Sequence, residues 1–387
     1  MKAAALFSGR RPHGTEGKAQ GADRRGAAMT QTASTDFLII GGGIAGVSAA
    51  AELAPLGSTR LIEAEAHLAY HASGRSAALY EPFYGPPPMV TLSLASREGL
   101  DAAGVLSPRG VMLVVGHDDA GLLDEEAALM RMTEIDREAA LAACPGLDPA
   151  KLARAALGGD AQDIDTDKLI QSYLRRAKAQ GAQVELSAPA TAITRRAGLW
   201  RVATPRGEFS AAVLVNAAGA WADPVAQMAG VAPKSIVPHR RSMARIAAPA
   251  GVDVSGWPML LGARDSFYAK PDAGALIVSP GDAESTTPHD AWADDLVLAE
   301  GLARYEALMR YPVERMLANW AGLRSFAPDG APVYGRDPDE PDFIWFAGQG
   351  GYGFQSSVAA ARLIADLVAE RPTDPELTRA IDPARFA

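Results

Sequence analysis

The sequence predicts an α/β fold in which helices cover a buried parallel sheet. Short apolar runs of strand length, first residues 37–40 and later residues 213–215, lead into glycines. Such runs are typical of strands that are buried on both faces of a parallel sheet. A helical pattern over residues 44–54 follows the first run, and the alternation of strands with helices favours the α/β class.

The composition is that of an ordinary globular protein, with 48% hydrophobic and 21% charged residues in 387. This length suffices for one large or two moderate domains. The net charge of −9 argues against nucleic acid or an anionic membrane surface as the main partner. The single cysteine, Cys144, excludes an internal disulfide and a cysteine-based metal cluster, and the sequence contains no apparent membrane span. We expect a cytoplasmic protein without a metal site.

Residues 1–34 contain few large apolar side chains and cannot bury enough surface to fold alone. They also lack the apolar core of a secretory signal. We therefore expect a disordered leader, and Met29 is an alternative start just before the first strand.

A glycine-rich turn follows the first strand, with Gly41, Gly43 and Gly46 in the spacing G-x-G-x-x-G. In a dinucleotide-binding turn the first glycine forms the tight bend, the second admits a diphosphate and the third lets the helix pack on the strand. Glu63 ends the second strand, residues 59–62, and follows Gly41 by 22 residues, where a carboxylate accepts ribose hydroxyls. This fingerprint predicts a dinucleotide site but does not distinguish FAD from NAD.

The next segments alternate between loops and regular elements. Residues 71–80 read as a loop of small and polar residues that leads into a helix, and residues 81–88 as a surface loop or a lid. We expect a strand over residues 110–116 and charged amphipathic helices over residues 122–143. Strand-to-glycine junctions recur at residues 216–219 and 348–353, and three such junctions exceed the needs of an NAD-binding domain.

Several ordered motifs, together with these junctions, resemble the FAD-dependent amine and D-amino-acid oxidoreductases, the family of glycine oxidase, sarcosine oxidase and D-amino-acid dehydrogenases. The likeness covers residues 36 to about 372. Within the family, the chain most resembles the D-arginine dehydrogenase branch. The motifs are H-x-S-G-R-S-A-A (71–78), I-D-T-D (164–167), V-L-V-N-A-A-G-A-W (213–221), R-R-S (240–242), S-F-Y-x-K-P-D-A-G (266–274), W-A-G-L-R-S-F (320–326) and Q-G-G-Y-G-x-Q (349–355).

The resemblance implies a Rossmann-like, glutathione-reductase-like FAD domain with an inserted substrate domain of antiparallel sheet and helices. The expected FAD domain comprises residues 35–100, 156–234 and 316–375, and the substrate domain residues 101–155 and 235–315. Residues 376–387 would form a C-terminal tail. The FAD is expected to be non-covalent, because Cys144 lies outside every motif that would face the flavin.

The fingerprint and the resemblance together assign cofactor-binding residues. Gly322 and Gly351 match glycines whose carbonyls approach the ligand, and Gln355 is expected near the pyrimidine edge of the flavin. The full set is Gly41, Gly43, Ile44, Ala45, Gly46, Glu63, Ser73, Arg75, Ser76, Ala77, Gly219, Gly322, Gly350, Gly351, Tyr352, Gly353 and Gln355.

The resemblance also implies that an arginine and tyrosines grip the substrate carboxylate over the flavin. A guanidinium matches a carboxylate bidentately, and Arg324 lies in an otherwise apolar run. Arg241 matches a second binding arginine, although Arg240 beside it leaves the register open. Tyr268 matches an active-site tyrosine and Tyr84 a tyrosine of a mobile loop.

Two departures from the arginine-using branch concern the side-chain pocket. Val111 occupies the position of the acid that pairs with a guanidinium, and Leu79 replaces a histidine. Glu81 is a possible new acid in this pocket or a solvated loop carboxylate. The expected activity is oxidative deamination of D-amino acids with neutral side chains, by hydride transfer to the flavin and release of a keto acid and ammonia.

The sequence leaves other functions open. An N-alkyl glycine or a cyclic imino acid is the second substrate class, and a flavin-binding module without turnover is the non-enzymatic alternative. The electron acceptor, oxygen or a quinone or another oxidant, is not determined.

Overall fold

The structure is a computed structural model that describes residues 34–386. The predicted leader lies outside these residues, apart from Ser34, and so does the alternative start Met29. The described residues form twenty strands, nine α-helices and five short 3-10 helices.

The strands are β1 (Thr35–Ile40), β2 (Thr59–Ile62), β3 (Leu79–Tyr80), β4 (Leu106–Pro108), β5 (Val111–Gly116), β6 (Thr133–Ile135), β7 (Leu152–Gly158), β8 (Gln162–Ile164), β9 (Gln183–Glu185), β10 (Ala192–Arg196), β11 (Leu199–Thr204), β12 (Gly207–Asn216), β13 (Val237–Ala247), β14 (Met259–Gly262), β15 (Tyr268–Asp272), β16 (Ala275–Ser279), β17 (Glu284–Ser285), β18 (Met316–Phe326), β19 (Val333–Arg336) and β20 (Phe343–Ala347). The α-helices are α1 (Ile44–Leu53), α2 (Pro87–Ala102), α3 (Leu123–Leu129), α4 (Arg137–Ala143), α5 (Thr166–Ala179), α6 (Ala222–Met228), α7 (Asp295–Glu306), α8 (Ser357–Val368) and α9 (Pro375–Ile381). The 3-10 helices are Ala72–Arg75, His117–Leu122, Gly219–Trp221, Ala263–Asp265 and Pro383–Phe386.

The first sheet has a parallel core in the order β9-β2-β1-β12-β20, to which β10, β11 and β19 add antiparallel pairs. Alternation along β1 shows why this sheet is covered on both faces. Phe37 and Ile39 pack on the side of α1, whereas Leu38 and Ile40 pack on the opposite side with Trp345. A strand whose successive side chains are all buried requires a layer on each side, so the α/β class predicted from these apolar runs is confirmed.

The second sheet has nine strands in the order β17-β13-β16-β15-β14-β5-β7-β6, with β18 paired to β13. Its neighbouring strands are antiparallel, except for the parallel pair β5 and β14. The predicted domain boundaries cut across this sheet, because β7 spans residue 155 and β18 begins at Met316. A small third sheet, β3-β8-β4, has no strand paired with either of the two large sheets.

Two local predictions are wrong. Residues 72–75 form a 3-10 helix and are followed by β3, where the sequence predicted a loop leading into a helix; β3 forms because Leu79 pairs with Asp163 of β8. The segment 122–143 contains α3 and α4 but also β6, which pairs with β7. In both cases a distant strand supplies the hydrogen bonds, and a local pattern carries no signal of that partner.

The last α-helix, α9, packs against the helices that cover one face of the first sheet. Ile381 of α9 is fully buried in the same core as α1 and α8, so the segment predicted as a tail contains a docked helix. Among residues 34–386 no helix combines the length and the apolar character needed to cross a membrane.

Candidate FAD and substrate site

The glycine-rich turn between β1 and α1 forms one end of the site. Gly41 has a φ of 108°, and a Cβ built there would lie 2.5 Å from the carbonyl oxygen of Ala217. A Cβ on Gly46 would lie 1.8 Å from the carbonyl oxygen of Gly41. The first glycine is therefore required by backbone conformation, and the third by the close approach of α1 to the turn.

Glu63 lies beside this turn, at the end of β2. Its buried carboxylate accepts a hydrogen bond from the Gly42 N–H at 2.5 Å and one from the Glu65 N–H at 2.9 Å. The side chain thus fixes the turn and also lines the adjoining cavity. Its binding of ribose hydroxyls stays a prediction.

Three adjoining cavities run from this turn into the space beside the second sheet. The outer cavity, of about 350 Å³, is lined by Gly41 and Glu63. The middle cavity, of about 130 Å³, shares Gly43, Ser73 and Gly219 with the outer one. The inner cavity, of about 80 Å³, shares Ser76, Arg324 and Gly351 with the middle one.

These shared lining residues place the middle cavity between the outer and the inner one. FAD fits the donor set, because the glycine turn lies at the outer end and backbone-rich segments line the middle cavity. The predicted cofactor residues of the middle cavity are Gly43, Ile44, Ala45, Ser73, Arg75, Ser76, Gly219, Gly322, Gly350, Gly351 and Gly353.

Arg75 lines the middle cavity, but its guanidinium is already used by the protein. It donates to the carbonyl oxygens of Ala291 at 2.8 Å and Ala321 at 3.0 Å and pairs with Asp290. The arginine therefore ties the segment before α7 to β18. Ser73 likewise has a structural partner, since its Oγ accepts a hydrogen bond from the N–H of Ile44 at 3.0 Å.

The two predicted carboxylate-binding arginines differ in their partners. The guanidinium of Arg241 is buried and its Nη1 lies 2.9 Å from Oδ2 of Asp265. Arg324 forms no ion pair with any carboxylate among the described residues, and it lines both the middle and the inner cavities. A Cβ built on Gly351 would lie 3.1 Å from its Cζ, so the glycine leaves room for the guanidinium.

Two tyrosines accompany Arg324. Tyr268 is buried on β15, and burial raises the pKa of its hydroxyl, while the nearby Arg324 and Arg241 oppose that rise. Tyr84 lines the inner cavity with Arg324, and its ring lies edge-on to the ring of Tyr352 with centroids 5.3 Å apart. Tyr84, Tyr268 and Arg324 thus line one small cavity. Their contact with a substrate stays a prediction.

Gln355 and Tyr352 contact the loop that carries Tyr84. The Gln355 Oε1 accepts from the Glu81 N–H at 3.0 Å, and its Nε2 donates to the carbonyl oxygen of Tyr84 at 3.3 Å. Gln355 lines the inner cavity and not the middle one. Tyr352 lines none of the three cavities and packs between Tyr84 and Phe326. Gly46 is likewise buried behind the turn, outside the cavity linings.

The three predicted side-chain pocket residues all lie at the inner cavity together with Ala77. Val111 on β5 is fully buried, Leu79 is half-buried, and Glu81 is buried. Burial raises the pKa of Glu81 to about 7, against a hydrogen bond from the Phe83 N–H that lowers it. The alternative prediction for Glu81, a solvated loop carboxylate, is therefore wrong, because the residue is buried.

Sequence reasoning missed Asp265, which lines the inner cavity and pairs with Arg241. Arg264 and Asp265 both have a φ of 54°, a conformation that costs non-glycine residues free energy and concentrates at functional sites. Met130, Met259 and Leu261 complete the apolar wall. In the sequence, the only local indication of Asp265 as a site residue was its place directly before the Ser-Phe-Tyr motif. Aspartate tolerates the left-handed conformation better than most residues.

Comparison with known proteins gives consistent relatives. Glycine oxidase from Pseudomonas aeruginosa is 28% identical over 381 residues, which cover 92% of this chain and 98% of that protein. The bifunctional protein ThiO/ThiG from Synechocystis is 27% identical over 91% of this chain, which spans only 54% of that protein's length. The crystal structure of L-proline dehydrogenase from P. horikoshii superposes with a TM-score of 0.78 at 20% identity, over 91% of this chain and 98% of that one.

A family model, described as FAD dependent oxidoreductase, matches residues 36–367. This range contains the glycine turn, all three cavities and both arginines. Because this match covers most of the chain, the chain belongs to the DAO family of FAD-dependent oxidoreductases.

Proposed function

We propose that the chain oxidises D-amino acids at the α-carbon, with hydrolysis of the resulting imino acid to a keto acid and ammonia. The observation that carries the proposal is the position of Arg324. Its guanidinium lies where the middle and inner cavities meet and has no carboxylate partner among the described residues. Such a half-buried cation without an acidic partner gains from an anionic ligand, and a substrate carboxylate matches its planar fork.

The chain's own residues bind and orient the substrate in this proposal. Arg324 would take the carboxylate, and the hydroxyls of Tyr84 and Tyr268 would lie beside it. FAD, when bound, supplies the chemistry, because the flavin accepts the hydride from the substrate carbon. The contact between Tyr84 and Tyr352 would close the inner cavity to water.

The walls of the inner cavity favour neutral, mostly apolar side chains. Val111, Leu79, Met130, Met259 and Leu261 are apolar. A guanidinium placed among them would lose its hydration, which costs several kcal/mol, against roughly 1.5–3 kcal/mol gained by burying an apolar side chain. At a pH where Glu81 is protonated, D-leucine, D-methionine and D-phenylalanine should therefore surpass D-arginine and D-lysine in kcat/KM.

The test is reduction of the flavin by single amino acids without oxygen, followed by the same panel with oxygen. Bleaching of the yellow band by D-amino acids supports the proposal, and the rate with oxygen distinguishes an oxidase from a dehydrogenase. Absence of bleaching with every amine would instead support a flavin-binding module without turnover.

A second substrate class is favoured by a specific observation, the small inner cavity of about 80 Å³. Sarcosine or a cyclic imino acid such as proline would fit a smaller space than D-phenylalanine. Glycine oxidase and L-proline dehydrogenase are among the similar proteins. Faster reduction by sarcosine or proline than by every D-amino acid would replace the first proposal with this one.

A further inference from the structure

Glu81 is the acidic residue of the inner cavity with the fewest partners. Its side chain is 6% exposed, and Oε1 accepts one hydrogen bond, from the Phe83 N–H at 3.2 Å. Among the described residues, no arginine, lysine or histidine pairs with it. A buried carboxyl with one hydrogen bond does not help to stabilise the fold, because burying an apolar side chain there would carry a smaller desolvation cost.

The carboxyl of Glu81 lies where it can contact a ligand in the inner cavity. A Cβ built on Gly158 of β7 would lie 3.8 Å from Oε2 of Glu81 and 3.1 Å from Cγ1 of Val111. Arg324 instead lies against Gly351, which follows β20. The two groups thus contact different walls of the same cavity, so a substrate with its carboxylate on Arg324 can extend its side chain toward Glu81.

We propose that Glu81 is the specificity-determining residue of this cavity and recognises the polar end of a substrate side chain. The inference rests on the proposed function, since it assumes a carboxylate on Arg324. Asp265 is the other acid at the inner cavity, but its carboxylate is already paired with Arg241. Glu81 is therefore the acid that a cationic side chain can use without breaking an existing ion pair.

The charge of Glu81 decides which side chain it accepts. Burial raises its pKa to about 7, the Phe83 N–H opposes this, and Asp160 raises it further. The other charged groups around it are Asp265 and Arg324 in the cavity. Arg131 is stacked on the ring of Phe83, the residue whose N–H donates to Glu81. The protonated carboxyl suits neutral side chains, and the carboxylate suits an ammonium or a guanidinium, so preference should change with pH.

The experiment measures ligand binding to the FAD-loaded protein through the visible spectrum of the flavin. The probes are valerate and δ-aminovalerate, which share the carboxylate and the chain and differ in a terminal ammonium. In the wild type, the affinity for δ-aminovalerate relative to valerate should rise about tenfold or more between about pH 6 and about pH 9. The ammonium stays charged over this range, since its ordinary pKa is about 10.4.

Glu81→Gln keeps the shape and removes the titration, so its affinity ratio should not change with pH. Asp160→Asn is the matched control, because it removes an exposed carboxylate near Glu81 but outside the cavity, and it should keep the pH-dependent ratio. If Glu81→Gln does not fold, Glu81→Thr replaces it.

A ratio that is independent of pH in the wild type, or one that changes equally in Glu81→Gln, overturns the assignment. Because binding is read without turnover, the result is separate from the proposed reaction. Failure of every D-amino acid to reduce the flavin would remove the proposed function and leave the role of Glu81 to be decided by the binding ratio.

Discussion

At the scale of single residues, the partners of the two arginines decide their roles. Arg241 and Arg324 carry the same charge and lie on the paired strands β13 and β18. Both line the middle cavity, but Arg241 is paired with Asp265, whereas Arg324 forms no ion pair among the described residues. The proposed anchor for the substrate is therefore Arg324, and Arg241 has a structural ion pair.

Arg324→Met should abolish productive substrate binding and leave the flavin in place. Loss of a charged hydrogen bond to a buried carboxylate costs roughly 2–5 kcal/mol, so kcat/KM should fall by about 30-fold to several thousand-fold. Steady-state kinetics and the flavin-to-protein absorbance ratio measure both effects. Arg245→Met on β13 is the control, because Arg245 pairs with Asp272 and lines none of the three cavities. Wild-type kinetics in Arg324→Met would transfer the anchor to another residue.

Glu81→Gln should change the pH dependence of stability. The pKa of Glu81 rises on folding from 4.5 to about 7, so its stabilising contribution is complete below about pH 4.5 and is lost as pH rises through 7. The variant has no group to ionise. It should match the wild type near about pH 4 and exceed its free energy of unfolding by up to roughly 3 kcal/mol near about pH 9.

Urea unfolding at these two pH values measures the difference. A constant offset between the two proteins at all pH values would show that Glu81 does not titrate in this range. Glu98→Gln on the exposed face of α2 is the control and should show no such trend.

At the scale of elements, the packing of α1 on β1 places the turn at the outer cavity. Gly46 is buried in the first turn of α1, close to the backbone of Gly41. The helix therefore begins against the strand, with its first N–H groups at the side of the cavities. With its N-terminus at the cavity, α1 would direct the positive end of its dipole toward the diphosphate of a bound FAD.

Gly46→Ala should displace α1 and weaken FAD binding. The added Cβ would lie 1.8 Å from the Gly41 carbonyl oxygen, so backbone must move, at a cost of roughly 1–3 kcal/mol or more. The flavin-to-protein ratio and the melting temperature should both fall. Gly121→Ala is the matched control, because its Cβ meets no atom within 4 Å and its φ is not left-handed. Full flavin content in Gly46→Ala would show that the turn tolerates the shift.

At the scale of the whole molecule, the site is assembled from distant segments. The outer cavity is lined from the first sheet, whereas the inner one is lined by β5, β14 and β15 of the second sheet. A ligand that extends along all three cavities contacts both sheets. FAD should therefore stabilise the whole fold, since any ligand that binds only the native state does so.

The purified protein should be yellow, with FAD bound non-covalently. Cys144, the single cysteine, is buried in the core of the second sheet, and burial raises its thiol pKa to about 12. Denaturation and centrifugation should release all flavin to the supernatant, and the apoprotein should melt at a lower temperature than the FAD-loaded form. Flavin retained on the precipitated chain would contradict the non-covalent prediction.

The sequence by itself determined the features that depend on local spacing. The parallel strands, the glycine turn, Glu63 and the motif around Arg324 could all be identified, because each signal lies within one short segment. Most of the residues that the family resemblance indicated line the three cavities. The use of these residues as ligands to FAD and substrate stays a prediction, and so does the likeness to the D-arginine dehydrogenase branch.

Only the tertiary structure decided what depends on partners far along the chain. Strand β6 and strand β3 form because β7 and β8 pair with them. Asp265 pairs with Arg241, 24 residues away in sequence, from a residue in the left-handed conformation. Burial decided the state of Glu81, because desolvation depends on surrounding walls and not on neighbours in sequence.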